Sequence, residues 1–241
     1  MSFPNRLTDL QRRFLEAFAG QGAAFFLTGG AVLAGWALGH RRTDDLDLFT
    51  TDDGAMADCD RLVRAAAAAI GATVEPVQSQ PDFRRYLIQD AAESMVVDVA
   101  RDRAPQLRPK VDRGGVRTDS VEEIVANKIC ALVGRSEVRG LVDLYCLERA
   151  GFRVEDFLED AMRKDGGVTP ATVAWILSGL SVPAELPASW KPARPWVWLP
   201  TSPACFSQVQ GHRTPSDSGV VLHPVPHASL QPGRCKDWGA I

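Results

Sequence analysis

The chain has 241 residues, 45% of them hydrophobic, and a formal net charge of -3. That is enough apolar material for one full core or two smaller ones, and it leaves no overall basic footprint for nucleic acid. No apolar run approaches the roughly 20 residues that cross a bilayer, and MSFPNRLTDL lacks a signal peptide's apolar core, so a cytoplasmic location with no membrane contact is expected. The five cysteines are scattered, with no CxxC spacing, which points to neither a disulfide framework nor a zinc site.

Residues 6–19 place Leu7, Leu10, Phe14 and Phe18 at helical spacing, a stripe that should pack on a sheet. The stretch 25–49, FFLTGGAVLAGWALGHRRTDDLDLF, follows. It reads as a short strand at 25–27, a Thr28-Gly29-Gly30 turn, a helix at 31–38 stopped by Gly39, and a second strand at 46–49. Side chains alternate along a strand, so Asp45 and Asp47 share one face, about 7 Å apart, while Leu46 and Leu48 take the other. Two carboxylates at that spacing can share divalent ions, and hard oxygen donors together with substrate phosphates suit Mg2+. A Gly-Gly turn opening a helix offers free amides at the positive end of the helix dipole, a cradle for phosphate.

An Ala-rich helix is expected at 56–70, closed by Gly71, and then two strands at 73–78 and 83–89, with Pro76 marking the first as an edge. The next strand, 95–100, reads MVVDVA. Asp98 is its one charge and shares a face with Val96 and Ala100, where a lone carboxylate needs a partner or a metal. Residues 101–117 read as a connector with six basic residues, Arg101, Arg103, Arg108, Lys110, Arg113 and Arg117. Such a run suits a triphosphate or an RNA-like acceptor, or is a solvated loop.

Ser120-Val121-Glu122-Glu123 is a capping box that starts a helix with a stripe of Val121, Ile124, Val125 and Leu132. Lys128 falls inside that stripe, where an ammonium must reach outward or meet an anion, and Arg135 lies two turns on. Both suit a nucleoside triphosphate or departing pyrophosphate. Two more helices follow, at 154–162 and from Thr169-Pro170 onward, with Trp175 read as a packing residue. Beyond about residue 183 the character changes. Half of the sixteen prolines lie after Lys191, as do three of the four histidines, and helical periodicity ends. The expected organisation is a catalytic unit at 1–117, a helical lobe at 118–185 and a Pro-rich, disordered tail at 186–241.

A strand, Thr-Gly-Gly, a short helix, Gly-His-Arg, a Thr and Asp-x-Asp together resemble the nucleotidyltransferase superfamily, and most closely its AbiEii/AbiGii toxin branch. The wider superfamily usually has Gly-Ser at the turn, whereas Gly29-Gly30 looks like the toxin branch. The resemblance continues in KICALVGRSEVRGLVDLY, where Lys128, Arg139 and Asp143 match the branch's Lys, Arg and Asp, although Gly140 stands where an Asp is frequent. It implies an α/β fold, a small mixed sheet with flanking helices followed by the helical lobe. It further implies that Asp98 is a third carboxylate, which completes the metal site and draws the proton from an attacking hydroxyl.

Under that resemblance Asp45, Asp47 and Asp98 hold two Mg2+ ions. Lys128 and the Gly29-Gly30 amides position phosphate, and Thr28, Arg42, Thr43, Arg135 and Asp143 complete the nucleotide site. His40 orients the turn or is exposed, and Arg139 with Asp143 is, in the plainest reading, an i,i+4 ion pair. The expected reaction moves a nucleoside monophosphate from an NTP to a hydroxyl of RNA or protein, and a cognate antitoxin is implied as partner. A catalytically silent nucleotide-binding or antitoxin-partner module and a metal-dependent phosphohydrolase stand as alternatives.

Overall fold

The computed structural model describes residues 6–180. The tail expected at 186–241 therefore lies outside the described residues. The order is α1 (Asp9–Ala19), β1 (Phe25–Thr28), α2 (Gly29–Val32) running into a π-turn (Leu33–Ala37), β2 (Asp45–Thr50), α3 (Asp53–Ala69), β3 (Thr73–Gln80), β4 (Phe83–Gln89) and β5 (Ser94–Arg101). Then come β6 (Val111–Arg113), β7 (Val116–Thr118), α4 (Val121–Arg135), α5 (Val138–Arg149), a 3-10 turn (Val154–Phe157), α6 (Leu158–Lys164) and α7 (Pro170–Gly179).

Among the described residues, seven strands form one mixed sheet in the order β3-β4-β5-β2-β1-β7-β6. The central pair β2 and β5 runs parallel, as does β1 with β7, while β1 and β2 are antiparallel. β3 is an edge, and its register shifts between Pro76 and Gln78, as a proline without an N–H donor requires. The expected connector at 101–117 is not all loop. Its second half forms the β6-β7 hairpin, closed by Gly114-Gly115, both with positive φ (71° and 91°), the geometry of a tight two-residue turn. Three-residue strands with alternating charge carry too little apolar signal to be read in advance.

The helices form where local chemistry starts them. Thr8 and Gln11 make a reciprocal capping box on α1, Asp52 caps α3, and Ser120 accepts from the Glu123 amide to start α4. The stripe of Leu7, Leu10, Phe14 and Phe18 is buried, and the core it joins also holds Leu46, Leu48, Val97 and Val99 from the sheet and Ile124, Ile129, Leu147 and Ile176 from the later helices. The other face of the sheet carries a separate small apolar cluster, Phe26, Phe49, Phe83 and Ala100. Trp175 is not a packing residue; it is 75% exposed on α7. No helix among the described residues is long and apolar enough to cross a membrane.

Candidate active site

Strand register builds the site. Thr28 on β1 pairs with Asp47 on β2, Asp47 pairs with Asp98 on β5, and Asp98 pairs with Arg85 on β4. Directly paired residues project to the same side of a sheet, so these four form a row across four strands. Their chain neighbours Leu46, Leu48, Val97 and Val99 point the other way, into the main core. Asp45 lies two residues before Asp47 on the same face.

The Thr28-Gly29-Gly30 turn abuts this row. Gly29 has φ +67°, and a Cβ there would stand 2.4 Å from Asp47 Oδ2. Only glycine combines that backbone with so close an approach. At Gly30 a Cβ would stand 2.7 Å from Arg41 Nη2. The second glycine thus makes room for a guanidinium.

The three carboxylates sit in different electrostatic surroundings. Burial opposes ionisation of Asp45, but Arg139, the Thr43 hydroxyl, Arg41 and Lys128 outweigh it and hold the carboxyl below its ordinary value. The Thr43 hydroxyl donates to Asp45 Oδ1 at 2.6 Å, and Arg139 Nη1 lies 3.4 Å from Oδ2. Asp98, 1% exposed, is gripped by Arg85 through Nε to Oδ1 and Nη2 to Oδ2, both at 2.8 Å. The half-buried Asp47 carboxylate receives no hydrogen bond and makes no ion pair among the described residues. Burial, then Asp45, then Asp98 push its carboxyl up to about 7.

A second node surrounds Asp143, which is fully buried. Arg41 donates from Nε at 2.6 Å and Nη2 at 2.9 Å, His40 Nε2 lies 2.7 Å away, and Lys128 Nζ is 2.7 Å from Oδ2. Burial opposes the charge of Asp143, but Lys128, Arg41 and His40 hold its carboxyl well below the ordinary range. Asp143 thus pairs with Arg41, His40 and Lys128, and Arg139 turns to Asp45. His40 is neither exposed nor idle, and Arg41 is the buried arginine of the loop while Arg42 is exposed.

The remaining candidates are placed as follows. The Thr28 hydroxyl donates to Asp119 Oδ2 at 2.6 Å, and Asp119 is also held by Lys110 and Asn127. Arg135 ends α4 half-buried and belongs to neither node. Arg41, Arg85 and Asp119 were not singled out from sequence. Alternation along β4 puts Arg85 on a definite face, but only the β4-β5 register reveals that Asp98 is opposite it.

Among the described residues no three acidic, imidazole or thiol groups stand gathered as a ready ion cage. The donor set nevertheless fits a hard divalent cation: three carboxylates on one face, one of them without an ion pair and only partly offset by Lys128 and Arg139. The direct partner that Asp47 lacks is what such an ion would supply.

Residues 13–192 match the family described as nucleotidyl transferase AbiEii toxin, type IV toxin-antitoxin system. Among solved structures the chain is similar to JHP933 from Helicobacter pylori, at 19% identity and TM-score 0.48, over 70% of this chain and 88% of that one. It is also similar to MenT4, a nucleotidyltransferase toxin from Mycobacterium tuberculosis, at 17% identity and TM-score 0.42, over 72% of this chain and 83% of that one. No curated protein matches it. With the family match spanning three quarters of its length, the chain belongs to the AbiEii nucleotidyltransferase toxin family and is a nucleotidyltransferase.

Proposed function

We propose that the protein transfers a nucleoside monophosphate from an NTP to an acceptor hydroxyl, using Mg2+ held by Asp45, Asp47 and Asp98. One observation carries the reading: Asp47 stands between Asp98 and the glycine turn with no ion pair of its own, its carboxyl pushed up to about 7 although Lys128 and Arg139 partly offset its charge. A fold that keeps so unfavourable a carboxylate gains from a cation bound there.

When bound, Mg2+ supplies charge neutralisation of the phosphates and polarisation at phosphorus. The chain's own residues do the rest. Thr43 and Arg139 fix the direction of Asp45. The Gly29 and Gly30 amides donate to phosphate oxygens. Lys128, 16% exposed beyond its contact with Asp143, has donors left for the triphosphate, and we assign Arg42, Arg135 and Thr28 as further nucleotide contacts. The acceptor oxygen forms its bond to the α-phosphorus as the bond from that phosphorus to the bridging oxygen breaks. Pyrophosphate leaves, and the hydroxyl proton passes to Asp98. Positioning and electrostatics account for most of such a reaction's acceleration.

The acceptor is an RNA end or a protein hydroxyl, and a cognate antitoxin is the expected partner, in keeping with the toxin-antitoxin family. The test is to incubate the protein with each α-labelled NTP, Mg2+ and cell extract. Label is expected in one class of macromolecule, and Asp45→Asn or Asp47→Asn should reduce transfer by a factor of about 100 or more. Label transfer that persists in both variants would overturn the mechanism.

A further inference from the structure

We propose that Arg85 is a resident counter-cation for Asp98, one that must give up a carboxylate oxygen before a divalent ion can be held there, so that Arg85 sets the metal affinity of the site. This rests on the metal reading above. The three carboxylates are not equally available. Asp47 has no partner, Asp45 faces Arg139 across 3.4 Å, and both oxygens of Asp98 are taken by the Arg85 fork at 2.8 Å. A two-bond guanidinium-carboxylate pair on a carboxylate only 1% exposed is far stronger than a single long contact. Asp98 is therefore the last of the three to engage a metal.

Register explains why the fork competes with the ion and does not assist it. Asp98 lies between β4 and β2 in the sheet, with Arg85 on one side and Asp47 on the other. Both oxygens of the Asp98 carboxylate are thus committed to Arg85, while its charge still bears on Asp47 from the next strand. A bound divalent ion would also feel the guanidinium charge directly, at a distance where one unit charge changes affinity appreciably. Arg85 has somewhere to go: its side chain is 26% exposed, and the guanidinium already lies 5.7 Å from the Phe83 ring centre, a face that a displaced cation can use.

The test is a Mn2+ titration of the full chain, followed by the loss of the free-ion paramagnetic signal, for wild type, Arg85→Gln, Arg85→Lys and Asp47→Asn, with metal-free melting temperatures alongside. Arg85→Gln is expected to bind Mn2+ about tenfold more tightly and to melt lower without metal, because it leaves Asp98 beside Asp47 with no counter-charge. Arg85→Lys keeps the charge but not the fork, and should tighten binding by a smaller factor, a readout that stands if the glutamine variant does not fold. Unchanged or weaker Mn2+ binding in the Arg85 variants would overturn the proposal and make Arg85 an orienting support for Asp98. If wild type takes up no Mn2+, or Asp47→Asn binds it equally well, the metal reading itself fails and this inference with it.

Discussion

At Asp47 three effects act in one direction. Burial, Asp45 and Asp98 all oppose its ionisation, and the cations Lys128 and Arg139 only partly counter them. An acid whose carboxyl is raised from 3.8 to about 7 on folding weakens the fold as pH rises through that window, because the folded state there binds the more protons. Asp47→Asn should consequently stabilise the metal-free protein at neutral pH, by about 1–4 kcal/mol, while abolishing transfer. Melting curves from pH 4 to 8 without metal check this: the gap between variant and wild type should widen from about pH 4 to 7 and then level off. A gap that is absent or reversed at pH 7 would contradict it. Mg2+ should narrow the gap by stabilising wild type alone.

Much of this residue-level picture was legible beforehand. Alternation alone put Asp45 and Asp47 on one face and Asp98 opposite Val97 and Val99, and the strands obey it. What the letters could not give was pairing. Whether Arg41 or Arg42 turns inward depends on the path of a loop, and whether Asp98 meets Arg85 depends on the alignment of β4 with β5. Neither has a local signature. Lys128 was conspicuous as a charge on an apolar stripe, but its partner Asp143 lies on another helix.

At the scale of elements, the junction of β1 with α2 is the tightest constraint. The strand end must bring the turn against Asp47, and Gly29 does so with a positive φ and no side chain. Gly29→Ala adds both a backbone strain and a clash at 2.4 Å, so a loss of about 1–3 kcal/mol is expected, together with weaker Mn2+ binding as Asp47 is pushed aside. Denaturant melts paired with metal titration check both parts. The expected helix at 31–38 also differs: it opens as α2 and continues as a π-turn, Leu33–Ala37, where the Leu38 and Gly39 amides both reach back to the Leu33 carbonyl. Apolar spacing fixes that a helical segment exists there but not how wide its last turn is. The β6-β7 hairpin was missed for a related reason, since strands of three residues have no period to detect.

Across the whole molecule, Asp143 ties together pieces distant in sequence. It sits on α5, receives Lys128 from α4, and clasps His40 and Arg41 from the loop that leads into β2. The main core spans the same divide, from Leu7 to Ile176. Deleting the carboxylate leaves Arg41 and Lys128 without their anion, so Asp143→Ala should cost about 3–5 kcal/mol and disturb the loop that presents Asp45. Because folding lowers the Asp143 carboxyl below its ordinary value, its contribution is complete at neutral pH and is lost as pH falls below the usual carboxylate range. Acid melts of wild type and Asp143→Ala should therefore converge at low pH.

The most direct test follows the two ends of one NTP, labelled on the α-phosphate in one sample and on the γ-phosphate in another, incubated with the protein, Mg2+ and cell extract. A nucleotidyltransferase using Asp45, Asp47 and Asp98 leaves the α label on a macromolecule and releases the γ label as pyrophosphate, both lost in Asp47→Asn. Release of the γ label as inorganic phosphate, with no α label transferred, would contradict the account.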